Sequence, residues 1–576
     1  MARVAALAVV LAALAGTPAA AATGVPVWPA AGKLALPVGA NTSRGHQAAA
    51  LQGVACTSAG NCVAVGYFTD ATKSTQAMAV AETGGAWGRA SELTLPAGAN
   101  TAAGAQQAQL SSVACTGPGS CVAVGRFTDG AGSSQAMIVD EASGAWGGAS
   151  ELTLPAGADV SAGAQAGLSS VACTSSGNCV AVGFYTDSSG SKDRQAMVAS
   201  ETSGVWGQAS ELALPAGANT GAGEQDASLR SVACAGPGSC AAVGSYTDTG
   251  KSFQAMVVAE GSGAGVWGQA SELALPADAL GVGPLAPAGA RCGPGACLQT
   301  ATLDSVTCTG AGSCEAVGSY ADDSTECSYE APDDCGVIFE AMAATATNGA
   351  WGRALNVSNS SSGAALSELA AVACTGPGSC VGVGQQAFVE RYMAGVTYED
   401  HPAFLTAETN GGWGQLQAAS LPAGAAPVQE PPSGTPTPGG PEGPEERADL
   451  DSVACTSPGN CVAVGYYLDN SESTQAMVLG SVTSLALITK QTISSRRHSA
   501  RFSFRTEGET RGLQCALVRI ARGTRGKHRA APKPRYASCH SHKRYTRLAP
   551  GRYAFYVRTV GAGAEKTPAS RRFTIG

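Results

Sequence analysis

The chain has 576 residues, 44% hydrophobic and only 14% charged, with 76 Gly, 29 Pro and 20 Cys. It is too apolar to be disordered, too punctuated by Gly and Pro for long helices, and too rich in cysteine for a reducing compartment. Its net charge of −8 hides a split: residues 23–481 hold 13 Lys and Arg against 40 Asp and Glu, whereas residues 482–576 hold 21 against 3.

Residues 1–22 carry one charge, Arg3, then the apolar run AALAVVLAALAG and small residues ending at Ala22. The pattern predicts a signal peptide cleaved near Ala22 rather than an anchor, because the run falls short of the ~20 apolar residues a span needs. No second run of that length follows. The expectation is a secreted chain with no membrane span, soluble or held non-covalently at the cell surface.

One string, SVAC-x5-C-x-AVG, then recurs seven times. It carries Cys56 and Cys62, Cys115 and Cys121, Cys173 and Cys179, Cys234 and Cys240, Cys308 and Cys314, Cys374 and Cys380, and Cys455 and Cys461. A Gln-Ala-Met-Val-like run follows in most units. In six units a short turn and a Trp come next, at Trp87, Trp146, Trp206, Trp267, Trp351 and Trp413. Short Val- and aromatic-rich runs bounded by Gly, Ser, Asn and Pro are strands, so each unit reads as four of them. A period near 60 residues with four strands per unit is the mark of a β-propeller blade.

The seventh unit stops at Ser481 without its Trp strand, and the missing piece stands near the other end of the chain. Trp28 opens WPAAGKLALPVGANT, which aligns with WGRASELTLPAGANT at Trp87. The fold expected is all-β: a seven-bladed propeller over 23–481, closed by an N-terminal strand, then a small β-sandwich over 482–576. A second register, with the Trp strand opening each blade, needs no shared strand. Connection lengths favour the first, since the third-to-Trp link is a tight turn and the Trp-to-first link is long enough to cross between blades.

The blade cysteines predict a disulfide across each first hairpin turn. The remaining cysteines form local pairs too: Cys292 with Cys297, Cys327 with Cys335, and Cys515 with Cys539. Neither CxxC nor interleaved His accompanies the blade pairs, so metal ligation and thiol redox chemistry are disfavoured. A recurring Asp after the second strand (Asp70, Asp129, Asp187, Asp248, Asp322, Asp469) suggests calcium, but its presence in nearly every unit argues for turn capping by the carboxylate. No metal and no cofactor are expected.

The turns written E-x-x-G-x-W, as from Glu82 to Trp87 and from Glu201 to Trp206, resemble a degenerate Asp-box hairpin of the sialidase-like (BNR) propellers, although the Asp of that box is absent. The whole repeat resembles secreted bacterial propellers with paired-cysteine units. The resemblance spans about 450 residues, and its motifs are structural.

Insertions fall at 277–303, 322–337, 385–403 and 425–449, all on one face of the expected ring. They hold the candidate ligand residues Tyr329, Phe388, Tyr392, Tyr398 and His401 with Asp333, Asp334, Glu399 and Asp400. Aromatics beside carboxylates suit sugar stacking or cation capture, while the plainer reading is solvated loops anchored by their aromatics. Catalytic residues cannot be picked. His46 and His401 are the propeller's histidines, and Arg44, Arg89, Arg126, Arg194, Arg230, Arg291, Arg353, Arg391 and Arg447 scatter along the sequence.

From about residue 485 the alternation in SARFSFR and GRYAFYVRTV predicts a separate β domain, whose strand order resembles bacterial Ig-like or fibronectin type III-like modules. Its basic loop, with Arg519, Arg522, Arg525, Lys527, Arg529, Lys533 and Arg535, suits an anionic envelope polymer or the chain's own acidic body. No nucleic-acid motif accompanies it. Cys539, His540 and His542 could suggest zinc, but an oxidising compartment favours the disulfide. The function expected is extracellular, non-enzymatic binding: a glycan or protein on the loop face, with the basic tail on an anionic surface. The alternative is a sialidase-like glycoside hydrolase.

Overall fold

A computed structural model describes residues 28–189, 192–261, 265–280, 299–327, 335–358, 366–391, 397–426, 447–481, 484–508, 512–520, 534–560 and 568–576. The expected signal peptide, residues 1–22, lies outside them. The described chain is all-β, built from antiparallel sheets in a propeller-like arrangement. No helix among these residues is long and apolar enough to cross a membrane.

Each repeat unit folds as an antiparallel ladder, and a parallel pairing of Phe339 with Leu366 joins units 5 and 6 into one sheet. In unit 1, strands Ala49–Ser58, Asn61–Thr69 and Thr75–Thr83 pair in sequence order. The Trp segment is not the single strand its pattern predicts. It makes two short rungs, Ala86–Trp87 and Ser91–Glu92. The strand is broken because the Ala90 amide, lying between the rungs, turns to a neighbour and donates to Ala35 O at 2.9 Å. Equivalent bonds join Ala149 to Thr94, Ala209 to Thr153, Ala270 to Ala213 and Ala354 to Ala274.

The N-terminal segment continues this series. The Ala31 amide donates to Ser420 O of unit 6, and Gly32 and Lys33 pair with Val478 and Met477 of unit 7. That is the register in which Ser91 and Glu92 face Ala79 and Met78 in unit 1. Trp28 packs against residues of units 6 and 7, as Trp146 packs against units 1 and 2.

Sheets pack on both sides of one another, so second and third strands read as continuous apolar runs rather than alternating ones. Val63, Val65 and Ala79 of unit 1 bury against Leu110, Val113 and Phe127 of unit 2. Val462, Val464 and Ala476 of unit 7 bury against Leu51, Phe68 and Met78 of unit 1 in the same way.

The first strand of every unit carries a bulge just after its Leu. In unit 1, Leu51 faces Gly66 and Gly53 faces Val65, so Gln52 is left without a partner. The bulge presses the strand's backbone onto its neighbour. A Cβ on Gly66 would run into Ala50 O, and the same collision awaits Gly125, Gly183, Gly244, Gly318, Gly384 and Gly465. The Gly of AVG is a requirement of space, not of dihedral freedom.

Successive first strands are pinned through a serine. Val171 N donates to Ser112 Oγ, Val232 N to Ser170 Oγ, Val306 N to Ser231 Oγ and Val372 N to Ser305 Oγ, at 3.1–3.3 Å. Val54 N of unit 1 donates to Ser452 Oγ of unit 7 at 3.2 Å. The other two joints have Gly53 and Ala371 at the serine position and no hydroxyl to offer.

The seven blade cysteine pairs are disulfides, each with Cα atoms 4.0 Å apart across directly facing residues. Such small rings contribute at most roughly 2 kcal/mol each through loop closure. Cys327 and Cys335 are register partners on a hairpin that extends unit 5, while Cys292 and Cys297 lie outside the described residues.

In the basic tail, Ser484–Ser494, Ser499–Gly508 and Lys543–Tyr545 form one sheet, and Gly512–Ile520, Ala537–Ser538, Gly551–Val560 and Ala569–Ile575 another. Phe502, stacked on Phe555 at 4.0 Å, and the Cys515–Cys539 disulfide share one core.

Gly66→Ala is expected to lower unfolding stability by about 2 kcal/mol or more, because backbone must move to admit the methyl. Gly117→Ala, where a Cβ meets nothing within 4 Å, is expected to stay within about 0.5 kcal/mol of the parent. Thermal melts of the two variants check this; equal melting would refute the packing account.

Candidate functional site

The bulge leaves one residue per unit free of the ladder at the inner edge of its sheet. These residues are Gln52, Ser111, Ser169, Arg230, Asp304, Ala370 and Asp451. Bulges commonly re-aim a side chain beside a functional site. The flanking string hardly varies between units, yet this position changes from acid to base to amide. The facing pairs beside it vary as much: Ala50 and Tyr67, Gln109 and Arg126, Gly167 and Phe184, Ser228 and Ser245, Thr302 and Ser319, Glu368 and Gln385, Asp449 and Tyr466. They lie near the end of the sheets that carries the second-to-third links, where the insertions of units 5 and 6 also emerge.

The charges are sorted. Arg126, Arg194 and Arg230 come from units 2 to 4, and Asp304, Glu368, Asp449 and Asp451 from units 5 to 7. Arg194 lies 3.5 Å over the Phe184 ring and 3.7 Å from Asp226. Burial pulls its guanidinium below the ordinary value against Asp226, and the nearby Arg230 and Arg126 add to the fall. Arg126 is lowered by burial as well, and its side chain donates to Gln109 Oε1 at 3.5 Å. Arg230 joins the two halves through Asp304 at 2.9 Å.

The carboxyls move the other way. Burial, helped by Glu368, pushes Asp304 up to about 7 against the pull of Arg230. Burial and then Glu368 push Asp449 up to about 7. Asp451 is held well above the usual range by burial, Asp449 and Glu368. Tyr67 and Tyr466 are raised by burial, with Asp451 acting on the first and Asp449 and Asp451 on the second. Asp304 Oδ2, Asp449 Oδ1, Asp451 Oδ2 and Gln52 Oε1 are buried without a hydrogen-bond partner. Acids that keep their protons near neutrality can donate as well as accept, which suits a polyhydroxylated ligand and proton transfer alike.

The loop residues singled out from the sequence are placed differently. The 385–403 insertion is largely an extended hairpin, not an irregular loop: Ser379–Arg391 pairs with Thr397–Asp400, so that Phe388 faces Asp400, Val389 faces Glu399 and Glu390 faces Tyr398. His401 spends its backbone on the crossing to unit 7, its carbonyl accepting from Ala448 N at 2.9 Å. Tyr329, Asp333, Asp334 and Tyr392 lie outside the described residues. So do Arg522, Arg525, Lys527, Arg529 and Lys533. Arg519 turns back to donate to Pro550 O at 2.7 Å, and Arg535 is exposed.

The recurring turn aspartates cap their turns. Asp70 Oδ1 accepts from the Thr72 and Ser74 amides at 2.7 and 3.0 Å, and Oδ2 from Gln76 Nε2 at 2.9 Å. Asp129, Asp248 and Asp469 repeat the pattern. Those oxygens are occupied by their own turn.

Sequence reasoning missed the inner-edge group. Its members stand at one repeat position, so aligning the units and asking where they differ would have found it. Arg126, Arg194 and Arg230, scattered along the chain, come together here because the first strands of neighbouring units lie side by side.

No protein-family model matches this chain, and no curated protein does. Among solved structures it is similar to a protein of unknown function from Dyadobacter fermentans, at 9% identity over 64% of this chain and 93% of that one, with a TM-score of 0.36. It is similar to an α-L-arabinanase of Penicillium chrysogenum complexed with arabinobiose, at 7% identity over 79% of this chain and 98% of that one, TM-score 0.32. A triple arginine-to-alanine mutant of AofleA from Arthrobotrys oligospora gives 13% identity over 65% and 87%, TM-score 0.30. No residue role is carried over from them. Fold and inner edge together define the class: an all-β, propeller-like protein of disulfide-bonded repeats.

The raised carboxyls hold protons more tightly folded than unfolded. The stability they contribute is therefore complete below about pH 4, the unfolded Asp value, and is lost as pH rises through about 7. Asp449→Asn is expected to match the parent's unfolding temperature at pH 4 and exceed it at pH 8 by calorimetry. A lower value at pH 8 would count against burial of an acid there.

Proposed function

We propose that the seven units form a closed seven-bladed β-propeller over residues 23–481 of a secreted protein, and that it binds glycan at the loop-side mouth of its central channel. The single observation carrying the ligand site is the bulge residue: seven copies of one strand differ where they face the axis. The registers of Gly32 and Lys33 on unit 7, and the Val54–Ser452 joint, support closure. Residues 482–576 are a basic Ig-like or fibronectin type III-like β-sandwich that holds the protein on an anionic envelope polymer. Its cation excess supports that part of the reading.

On this reading the arginine half donates to hydroxyl and ring oxygens, the acid half exchanges hydrogen bonds with hydroxyls, and Tyr67 and Tyr466 offer apolar faces to a sugar ring. The binding is non-catalytic. A second reading, glycoside hydrolysis, is favoured by one observation: carboxyls poised near neutrality beside further carboxylates, as a general acid and its partner require.

Glycan-array binding by the mature chain is expected to fall about tenfold in Arg126→Ala, the loss of one charged donor. Binding that is unchanged places the ligand elsewhere. Turnover of a fluorogenic glycoside panel, abolished by Asp449→Asn, would establish the second reading instead. Retention on isolated cell wall is expected to drop steeply as salt rises from about 0.05 to about 0.5 M, since the Debye length shrinks below ~5 Å. Salt-insensitive retention would rule out the tail's electrostatic role.

A further inference from the structure

We infer that the acid half of the channel mouth receives the ammonium group of an amino sugar. This rests on the glycan-binding reading and names the sugar class.

The acid half has an excess of negative capacity. Arg230 serves Asp304 at 2.9 Å. Among the described residues, Glu368, Asp449 and Asp451 have no cation within ion-pair distance. Buried like-charged carboxyls without a counterion are costly, and they keep their protons in its place. The unsatisfied buried atoms of the acid half are all acceptors. Asp449 is only 8% exposed with Oδ1 unpartnered, and the Asp304 side chain is 9% exposed with Oδ2 unpartnered. Gln52 Oε1, from the opposite neighbour of unit 7, is a third and bears no charge. A guest that satisfies them must bring donors, and a positive charge replaces the protons.

A bare metal ion does not fit. Only one group of three ligand atoms among the described residues lies within 4.8 Å of one another, and its Cys374 and Cys380 are joined as a disulfide. No three of the inner-edge carboxylates bring ligand atoms within 4.8 Å of one another, whereas an ammonium flanked by hydroxyls spreads its donors over several ångströms. Tyr67 and Tyr466 flank the same carboxyls, and aromatic faces beside carboxylates suit an organic cation. A lysine side chain would meet the charge requirement, but its apolar stem gives Arg126 and Arg194 nothing to bind. A polyol does.

Entry of an ammonium releases protons from the acids it meets. The titratable and charged groups around the acid half are Asp304, Glu368, Asp449, Asp451, Tyr67, Tyr466, Arg230 and Arg447, with Arg126 and Arg194 on the other half.

The test is isothermal titration calorimetry of the full mature chain at pH 6 in two buffers of different ionisation enthalpy. The probes are a β-1,4-glucosamine tetramer, its N-acetylated counterpart and a lysine tetramer. The glucosamine tetramer is expected to bind about tenfold or more tighter than the acetylated one, with net proton release, the size of a desolvated charge interaction. Asp451→Asn and, separately, Asp449→Asn are expected to weaken it comparably and reduce the release. Equal binding of both sugars without proton release overturns the inference and leaves the glycan reading standing. Binding of neither sugar, with a blank glycan array, overturns the reading itself. A lysine tetramer that binds as tightly as glucosamine overturns the sugar assignment.

Discussion

The structure depends on a collision that has been designed out. In each unit the first strand bulges after its Leu and drives a carbonyl oxygen against the second strand, where only glycine leaves room. The bulge does two things at once. It tightens the packing of the first hairpin, and it releases one side chain from the ladder. Scaffold and site are thus products of one local distortion, repeated seven times.

Repetition makes the scaffold robust and leaves the site free to vary. The disulfide, the capped aspartate turn, the serine joint and the sandwiched Val-Ala strand recur with little change, so each joint is stabilised much as its neighbours are. The bulge residue carries none of that burden. Arg230, Asp304 and Asp451 can therefore occupy positions where Ser111, Ser169 and Ala370 serve equally well for folding. Clustering of like charges follows from units 5 to 7 being neighbours. Low solvent access then turns ordinary acids into proton-holding ones.

Particular residues show how far the sequence could be read. Cysteine spacing identified the blade disulfides, because a hairpin turn of that length has few other partners within reach. The WPAAGKLALPVGANT segment foretold its pairing with unit 7, because it repeats a pattern whose place in the sheet the other units define. The Trp segment reads as one strand but is broken, since its break comes from an amide bonding to the preceding unit, a long-range choice invisible to local pattern. The 385–403 stretch reads as an insertion on a second-to-third link, yet pairing between Phe388 and Asp400 extends the strand.

The amino-acid order by itself determined everything that depends on period and spacing: strand-rich units, their number in the chain, their staples, the acidic body and the basic tail. These are local or self-similar properties, and a repeat displays them openly. Only the tertiary structure decided which side chains come together. Arg126 and Arg194 are separated by more than a whole unit in sequence, and Glu368 by more still from Asp451, yet each pair interacts. Their mutual fields exist because stacked sheets converge at their inner edges, a distance relation that no linear spacing encodes.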